Sequence, residues 1–308
     1  MRAVFFGTPA LAVPALRALA TVTDVAGVVC QPDRPAGRGL ALSVPPVKTE
    51  AERLGLPVHQ PQRVRDGSLR DWLAGTGADL AVVLAYGRIL PPDVLATPRL
   101  GCVNLHASLL PKLRGAAPVQ WALITGETET GISLMQMDAG LDTGPVFTRH
   151  SLSIGPDETA GELAERIAQL AAAVVLSDIP RLGAGELTAE PQDATLATHA
   201  PPLGREHGRI DWHLPSRAVH DLIRGLSPRP GAYTTHRGKA LRVRSTARIA
   251  AAPALAPGEL RVERPKVLIG TGDGALELVT AQVEGRRELP ALELVNGRAL
   301  ADGERLGT

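Results

Sequence analysis

Asn104 and His106 stand two residues apart in Asn104–Leu105–His106–Ala107–Ser108–Leu109–Leu110–Pro111, where a short apolar run ends. If that run is a strand, both side chains project to the same side. An amide beside an imidazole is suited to hold a carbonyl and to donate hydrogen bonds to the oxyanion formed when that carbonyl is attacked. Downstream, Asp142 sits in the glycine-bounded turn Gly140–Leu141–Asp142–Thr143–Gly144 and offers a carboxylate that accepts a proton or orients His106. The trio contains no nucleophile. Cys102 lies one strand repeat before Asn104, with nothing in the sequence to activate it. Each residue alone also has a plainer reading: a strand-end histidine, a turn-forming aspartate, a capping asparagine. Periodicity and spacing point to a site without naming its reaction.

The other chemistry-bearing patterns are absences. Gly7–Thr8–Pro9–Ala10–Leu11–Ala12 lacks the G-x-G-x-x-G spacing by which a backbone approaches a pyrophosphate, so NAD or FAD is not expected. Neither a G-x-x-x-x-G-K-[ST] phosphate loop nor a G-x-S-x-G nucleophile elbow is present. None of the eight histidines has metal-ligand spacing with a second His or a Cys, and no metal is expected. Two cysteines, Cys30 and Cys102, are too few for a disulfide framework, which fits a reducing cytoplasm.

The elements that must position this trio follow from apolar periodicity. Arg2–Gly7, Asp24–Cys30, Asp79–Tyr86 and Gly101–His106 read as buried strands, with a helix around Leu11–Leu19 and crossover helices near Val47–Leu54 and Leu69–Leu73. Strands alternating with helices mean an α/β, Rossmann-like domain with a mainly parallel sheet, whose ligands bind at the carboxyl edge of the strands. Gly131–Met137 and Pro145–Ile154 add strands, and Thr159 with Glu162 forms a capping box opening a helix with Leu163, Ile167, Leu170, Ala171 and Val174 as its buried stripe. The periodicity then breaks among Pro191, Pro201 and Pro202. The expected division is a catalytic domain over 1–189, a linker over 190–204, and a small, OB-like β-barrel over 205–308, entered through a short helix at Ser216–Arg224.

The length of 308 residues suits two such domains. The net charge of +1 hides an asymmetry, −4 over residues 1–200 against +5 over 201–308, a hint that the C-terminal third meets a polyanion. No apolar stretch reaches the roughly 18 residues of a spanning helix, and the first fifteen residues do not read as a signal peptide.

The segment N-x-H-x-S-L-L-P followed by the later aspartate resembles the active-site signature of the 10-formyltetrahydrofolate-dependent formyltransferases. The likeness extends through Gln31–Gly39, Ala85–Tyr86–Gly87, Lys112–Pro118, Met135–Asp138, Arg209–Trp212 and Gly270–Gly274, essentially the whole chain. It is nearest to the branch of that family acting on initiator methionyl-tRNA. The resemblance implies direct transfer of a formyl group from the folate to the methionyl α-amine, without metal, nucleotide or covalent intermediate. Asn104 would position the formyl oxygen, His106 would stabilise the oxyanion, and Asp142 would hold His106 and relay the amine proton. Ser108, Leu109, Leu110 and Pro111 would meet the folate, with Tyr86, Gly87 and Ile89 lining the pterin pocket.

By the same resemblance, the Asp33–Lys48 stretch reaches the acceptor end of the tRNA, with Arg34, Arg38 and Lys48 as contacts. Leu40 and Ala41 stand where one family pattern has lysines, so this loop is less basic. Arg242 and Arg244 are candidate tRNA contacts in the C-terminal domain, with Arg237 and Lys239 beside them. The protein is expected to work as a monomer in the cytoplasm, away from membranes. The rival readings are a formyltransferase for an amino-sugar nucleotide or, less favoured, for glycinamide ribonucleotide, hydrolysis of the formyl folate, and a non-catalytic tRNA-binding protein. The last would be marked by loss of Asn104, His106 or Asp142, and all three are present.

Overall fold

A computed structural model describes residues 1–36, 41–249 and 253–307. The chain forms two compact units: 1–118 with 130–152 and 164–201, and 119–129 with 153–163 and 202–308. The first unit is built on a seven-stranded sheet of β1 (Arg2–Gly7), β2 (Asp24–Val29), β3 (Val58–His59), β4 (Leu80–Leu84), β5 (Cys102–His106), β6 (Glu129–Gln136) and β7 (Val146–Ser153). Their order is β7-β6-β5-β4-β1-β2-β3. The strands from β3 to β5 run parallel, and β6 pairs antiparallel with β5. All five residues of β4 (LAVVL) and all of β1 after Arg2 are buried, as expected of sheet strands covered on both faces. The crossover helices form at Val13–Val22, Pro46–Arg53 and Ser68–Thr76. This confirms the Rossmann-like reading, with mixed rather than uniform pairing at the β5–β6 edge.

In register, Val83 of β4 faces Asn104 of β5, and His106 faces Ser133 of β6. The carboxyl ends of β4 and β5 therefore deliver the segments after Leu84 and His106 to one sheet edge. Glu190 pairs with Val146, and His199–Ala200 pair in parallel with Arg114–Gly115, so the segment read as a linker is held to this unit as far as Ala200.

The second unit is an antiparallel sheet ordered Ala232–His236, Lys239–Arg248, Gly274–Val283, Lys266–Thr271, Leu260–Glu263, with Leu289–Pro290 also on Gly274–Val283. The tail joins its two edges: Leu306 N–H donates to Gly258, Gly307 N–H donates to Thr235, and Leu260 N–H donates to Glu304. Leu241 and Val243 are buried while Arg242 is exposed, the alternation of a strand with one face on a core. The helix Ser216–Leu226 packs Val219, Ile223 and Leu226 into the core with Trp212 and Ile269. Arg224 of that helix donates to the carbonyls of Gly155 and Glu158 at 2.9 and 3.1 Å, tying 153–163 to this unit. The capping box forms as read: Thr159 N–H donates to Glu162 and Glu162 N–H to Thr159, at 2.8 and 3.3 Å.

Candidate active site

The end of β5 places Asn104 and the buried His106 at the carboxyl edge of the sheet. His106 Nε2 lies 2.9 Å from the carbonyl oxygen of Leu113. A carbonyl only accepts, so Nε2 carries the proton and Nδ1 is the nitrogen left to act. That Nδ1 is 3.6 Å from Oδ2 of Asp142. The same carboxylate accepts from the backbone N–H of Gly115 at 2.9 Å and, through Oδ1, from the Asn104 amide at 3.4 Å. Asn104, His106 and Asp142 thus converge on one point, although 38 residues separate Asn104 from Asp142.

Backbone conformation brings the carboxylate there. Asp142 has a φ of +54°, in the left-handed region that is uncommon for residues other than glycine and that aspartate tolerates better than most. Gly144, two residues on, passes so close to β6 that a Cβ would lie 2.0 Å from the Gln136 carbonyl. On the other side, Gly115 has a φ of +129° and a Cβ there would meet the Ala200 carbonyl at 2.5 Å, so its N–H reaches Asp142 only because it is glycine.

A layer of polar groups supports this arrangement, and it was not legible as a pattern. The Gln192 amide donates to the carbonyls of Asp142 and Gly144 at 2.9 and 2.7 Å, and its oxygen accepts from Arg114 at 3.1 and 2.7 Å. Thr198 Oγ1 accepts from Leu113 N–H at 2.9 Å. Ser133, on β6, donates to the Ser108 carbonyl at 2.7 Å and accepts from Leu110 N–H at 3.0 Å. Arg149 holds the Leu110 carbonyl at 2.7 Å. The one local signal is the glycine at 115, within Lys112–Pro118.

The expected folate-contacting residues divide in two. Ser108 and Leu110 are buried, Leu109 and Pro111 half-buried; Ser108 donates to the Lys112 carbonyl at 2.6 Å and Leu110 packs on Met135 and Val146. The Tyr86 ring belongs to the core, edge-on to Phe6 at 5.4 Å, and burial pushes its phenol up to about 12. What Tyr86 and Gly87 present toward the edge is backbone, pinned where Thr8 donates to the Tyr86 carbonyl and Gln31 to the carbonyls of both. Ile89 is 62% exposed, an apolar surface beside that backbone.

Of the basic residues, Arg34 is exposed and donates to Gln31 at 3.0 Å. Arg38 lies outside the described residues. Lys48 is committed to Asp33 at 2.7 Å, with both side chains only about 20% exposed. Hydrogen bonds from Gln60 and Lys48 hold the Asp33 carboxyl below the usual range. Lys48 therefore closes the base of the 33–48 loop rather than standing free for a phosphate. In the second unit Arg242 is exposed, whereas Arg244 pairs with Glu288 at 3.2 Å and donates to the Pro228 carbonyl at 3.1 Å.

Burial pushes the Cys102 thiol up to about 12 and the Cys30 thiol to about 11, so neither is a ready nucleophile near neutral pH. Among the described residues no group of three or more His, Cys, Asp or Glu side chains is disposed to hold a metal. An amide, an imidazole and a carboxylate around one point suit attack on a carbonyl by an amine supplied from outside: two donors for the oxyanion and one acceptor for the proton.

Comparison with known proteins agrees with this chemistry. The family described as "Formyl transferase" matches residues 1–179, and "Formyl transferase, C-terminal domain" matches residues 202–299. A protein of Sorangium cellulosum named methionyl-tRNA formyltransferase is 56% identical over the whole of both chains. One of the same name from Solibacter usitatus is 47% identical over all of this chain and 99% of its own. Among solved structures, an N-formyltransferase from Helicobacter canadensis, in complex with folinic acid and dTDP-3-aminofucose, superposes with a TM-score of 0.67 at 16% identity, covering 91% of this chain and 98% of that one. HypX from Aquifex aeolicus, in complex with tetrahydrofolic acid, gives 0.65 at 16% identity over 99% of this chain and 48% of its own. At such identities the structures speak for the fold alone.

Proposed function

The chain belongs to the formyl transferase family, and from that membership we infer that it transfers the formyl group of 10-formyltetrahydrofolate to the α-amino group of methionine on initiator methionyl-tRNA. The product, formylmethionyl-tRNA, serves translation initiation. The observation that carries the residue assignment is the convergence of Asn104 and His106 on the Asp142 carboxylate.

In this reading the methionyl amine forms a bond to the formyl carbon, and the bond from that carbon to the folate nitrogen breaks after a tetrahedral intermediate. The Asn104 amide donates to the formyl oxygen and fixes its direction. His106, with Nε2 already given to the Leu113 carbonyl, turns Nδ1 toward the developing oxyanion, with the Asp142 carboxyl group 3.6 Å from the same nitrogen. Asp142 takes the proton released by the amine, through water, and the proton passes to the departing folate nitrogen. Ser108–Pro111, with the backbone at Tyr86–Gly87 and the exposed Ile89, receives the folate. Arg34 and Arg38 contact the acceptor end of the tRNA and Arg242 its backbone. Catalysis falls to 1–189 together with the segment to Ala200 that is paired onto it, and a share of tRNA binding to 205–308. The protein acts as a cytoplasmic monomer, and no helix among the described residues is long and apolar enough to cross a membrane.

Formation of formylmethionine from 10-formyltetrahydrofolate and charged initiator tRNA, against amino-sugar-nucleotide and acceptor-free controls, tests the reading. Transfer to the tRNA alone supports it; transfer only to the sugar nucleotide, or equal folate turnover without acceptor, overturns the acceptor while sparing the trio.

A further inference from the structure

We propose that Gln192 is a positioning residue for formyl transfer, acting through the turn that carries Asp142. Gln192 lies outside both family-matched segments, 1–179 and 202–299. Its half-buried side chain makes four polar contacts, all toward the site. The two donated bonds go to the carbonyls of Asp142 and Gly144, at 2.9 and 2.7 Å. The accepted pair comes from Nε and Nη2 of the buried Arg114, at 3.1 and 2.7 Å.

These partners dictate how the amide is oriented. Two carbonyls require the NH2 group, and the guanidinium requires the oxygen, so no alternative orientation satisfies both sides. Gln192 thereby fixes both ends of the stretch Asp142–Gly144, whose first residue, Asp142, sits at a φ of +54°. Released from those two bonds, Asp142 has less to keep it in the left-handed region. Its carboxylate would then lose its aim at His106 Nδ1.

The same segment steadies the opposite wall. Arg114 N–H donates to the Thr198 carbonyl and Leu113 N–H to the Thr198 hydroxyl, both at 2.9 Å, and Leu113 is the residue whose carbonyl takes His106 Nε2. Gln192 and Arg114 therefore join the Asp142 turn to the His106 support. A displacement on the order of 1 Å at a reacting group costs about a hundredfold in rate, which makes this coupling matter for catalysis as well as for folding.

The inference rests on the catalytic reading of Asp142, and the experiment separates the two. Steady-state kinetics with 10-formyltetrahydrofolate and charged initiator tRNA would be measured on Gln192→Ala, Gln192→Glu, Asp142→Asn and the Gln192→Ala/Asp142→Asn double variant, with thermal unfolding of each. Gln192→Glu keeps the shape and the Arg114 pairing but sets a carboxylate against two carbonyls, so it reports positioning even if the alanine variant folds poorly. Both Gln192 variants are expected to lose about 10- to 100-fold in kcat, with both KM values within about twofold of the parent. In the Asp142→Asn background, Gln192→Ala should cost less than about a further twofold, because the residue it positions has already been disabled. Wild-type kcat in Gln192→Glu, or the same loss from Gln192→Ala with and without the Asp142 carboxylate, overturns the proposal while the trio stands. Wild-type turnover in Asp142→Asn alone overturns the catalytic reading itself, and the proposal with it.

Discussion

His106 Nδ1 faces Asp142 Oδ2 at 3.6 Å, while the opposite ring nitrogen is bound to the Leu113 carbonyl at 2.9 Å. The ring is therefore held at Nε2 and faces a carboxyl group with Nδ1, and Leu113 holds its carbonyl there from a φ of +60°. In the proposed reaction, a donor prepared in this way needs no reorientation when negative charge develops on the formyl oxygen, which is where electrostatic catalysis gains most.

Replacing the ring tests its role. His106→Ala is expected to lower kcat about 10²- to 10³-fold while folate binding persists. Single-turnover formylation alongside a direct folate titration checks this. Unchanged turnover would remove His106 from the mechanism.

Gly115 is the steric hinge of the same arrangement. With a φ of +129° and only 2.5 Å between a hypothetical Cβ and the Ala200 carbonyl, Gly115→Ala must shift backbone on one side or the other. The expected cost is about 1–3 kcal/mol of stability. Because the Gly115 N–H is also the donor to Asp142 at 2.9 Å, kcat should fall about tenfold or more beyond what unfolding explains. Denaturant titration and kcat, measured on the same preparation well below its melting temperature, separate the two effects.

How much of this was legible depends on the range of the signal. The β1, β4 and β5 strands announce themselves through short-range apolar runs, and Asn104 and His106 share a side because strand period is local. The capping box of Thr159 and Glu162 is likewise a three-residue pattern. Gln192 and Thr198 have no such signature: their partners lie 48 to 85 residues away, and around them the periodicity dissolves among prolines. Hydrogen bonds at that separation leave no trace in spacing, so a segment that braces the candidate site reads as a linker. Lys48 misled in another way, since a lysine in a proline- and glycine-rich loop looks solvated until Asp33, fifteen residues earlier, closes on it.

Glu50 predicts a pH dependence of stability. Hydrogen bonds from Arg17 and Arg53 hold its carboxyl down at about 2, against an ordinary 4.5. A folded-state value below the unfolded one means the contribution is fully present above about pH 4.5 and is lost as pH falls toward 2. Glu50→Gln should therefore be less stable than the parent at pH 7, and the gap should close in acid. Both guanidinium partners are more than half exposed and easily rehydrated, so the expected loss at pH 7 is about 1 kcal/mol. Urea titrations at pH 7 and pH 3 check it; an equal gap at both would assign the effect to packing.

The two basic residues Arg242 and Lys48 should respond differently to removal. Arg242 is exposed on the strand Lys239–Arg248, available to a phosphate, whereas the Lys48 ammonium is taken by Asp33 at 2.7 Å. A phosphate contact releases counterions, so Arg242→Ala should raise the tRNA KM and reduce the slope of log affinity against log salt by about 1. Lys48→Ala has a different route: it leaves the Asp33 carboxylate, among the described residues, with the Gln60 amide at 2.7 Å, and so loosens the base of the loop. That variant should weaken tRNA use while leaving the salt slope near the parent value. Filter binding of charged initiator tRNA between low and moderate salt distinguishes them. A slope change in Lys48→Ala equal to that in Arg242→Ala would show that the lysine leaves Asp33 for the tRNA backbone, and would return it to the interface.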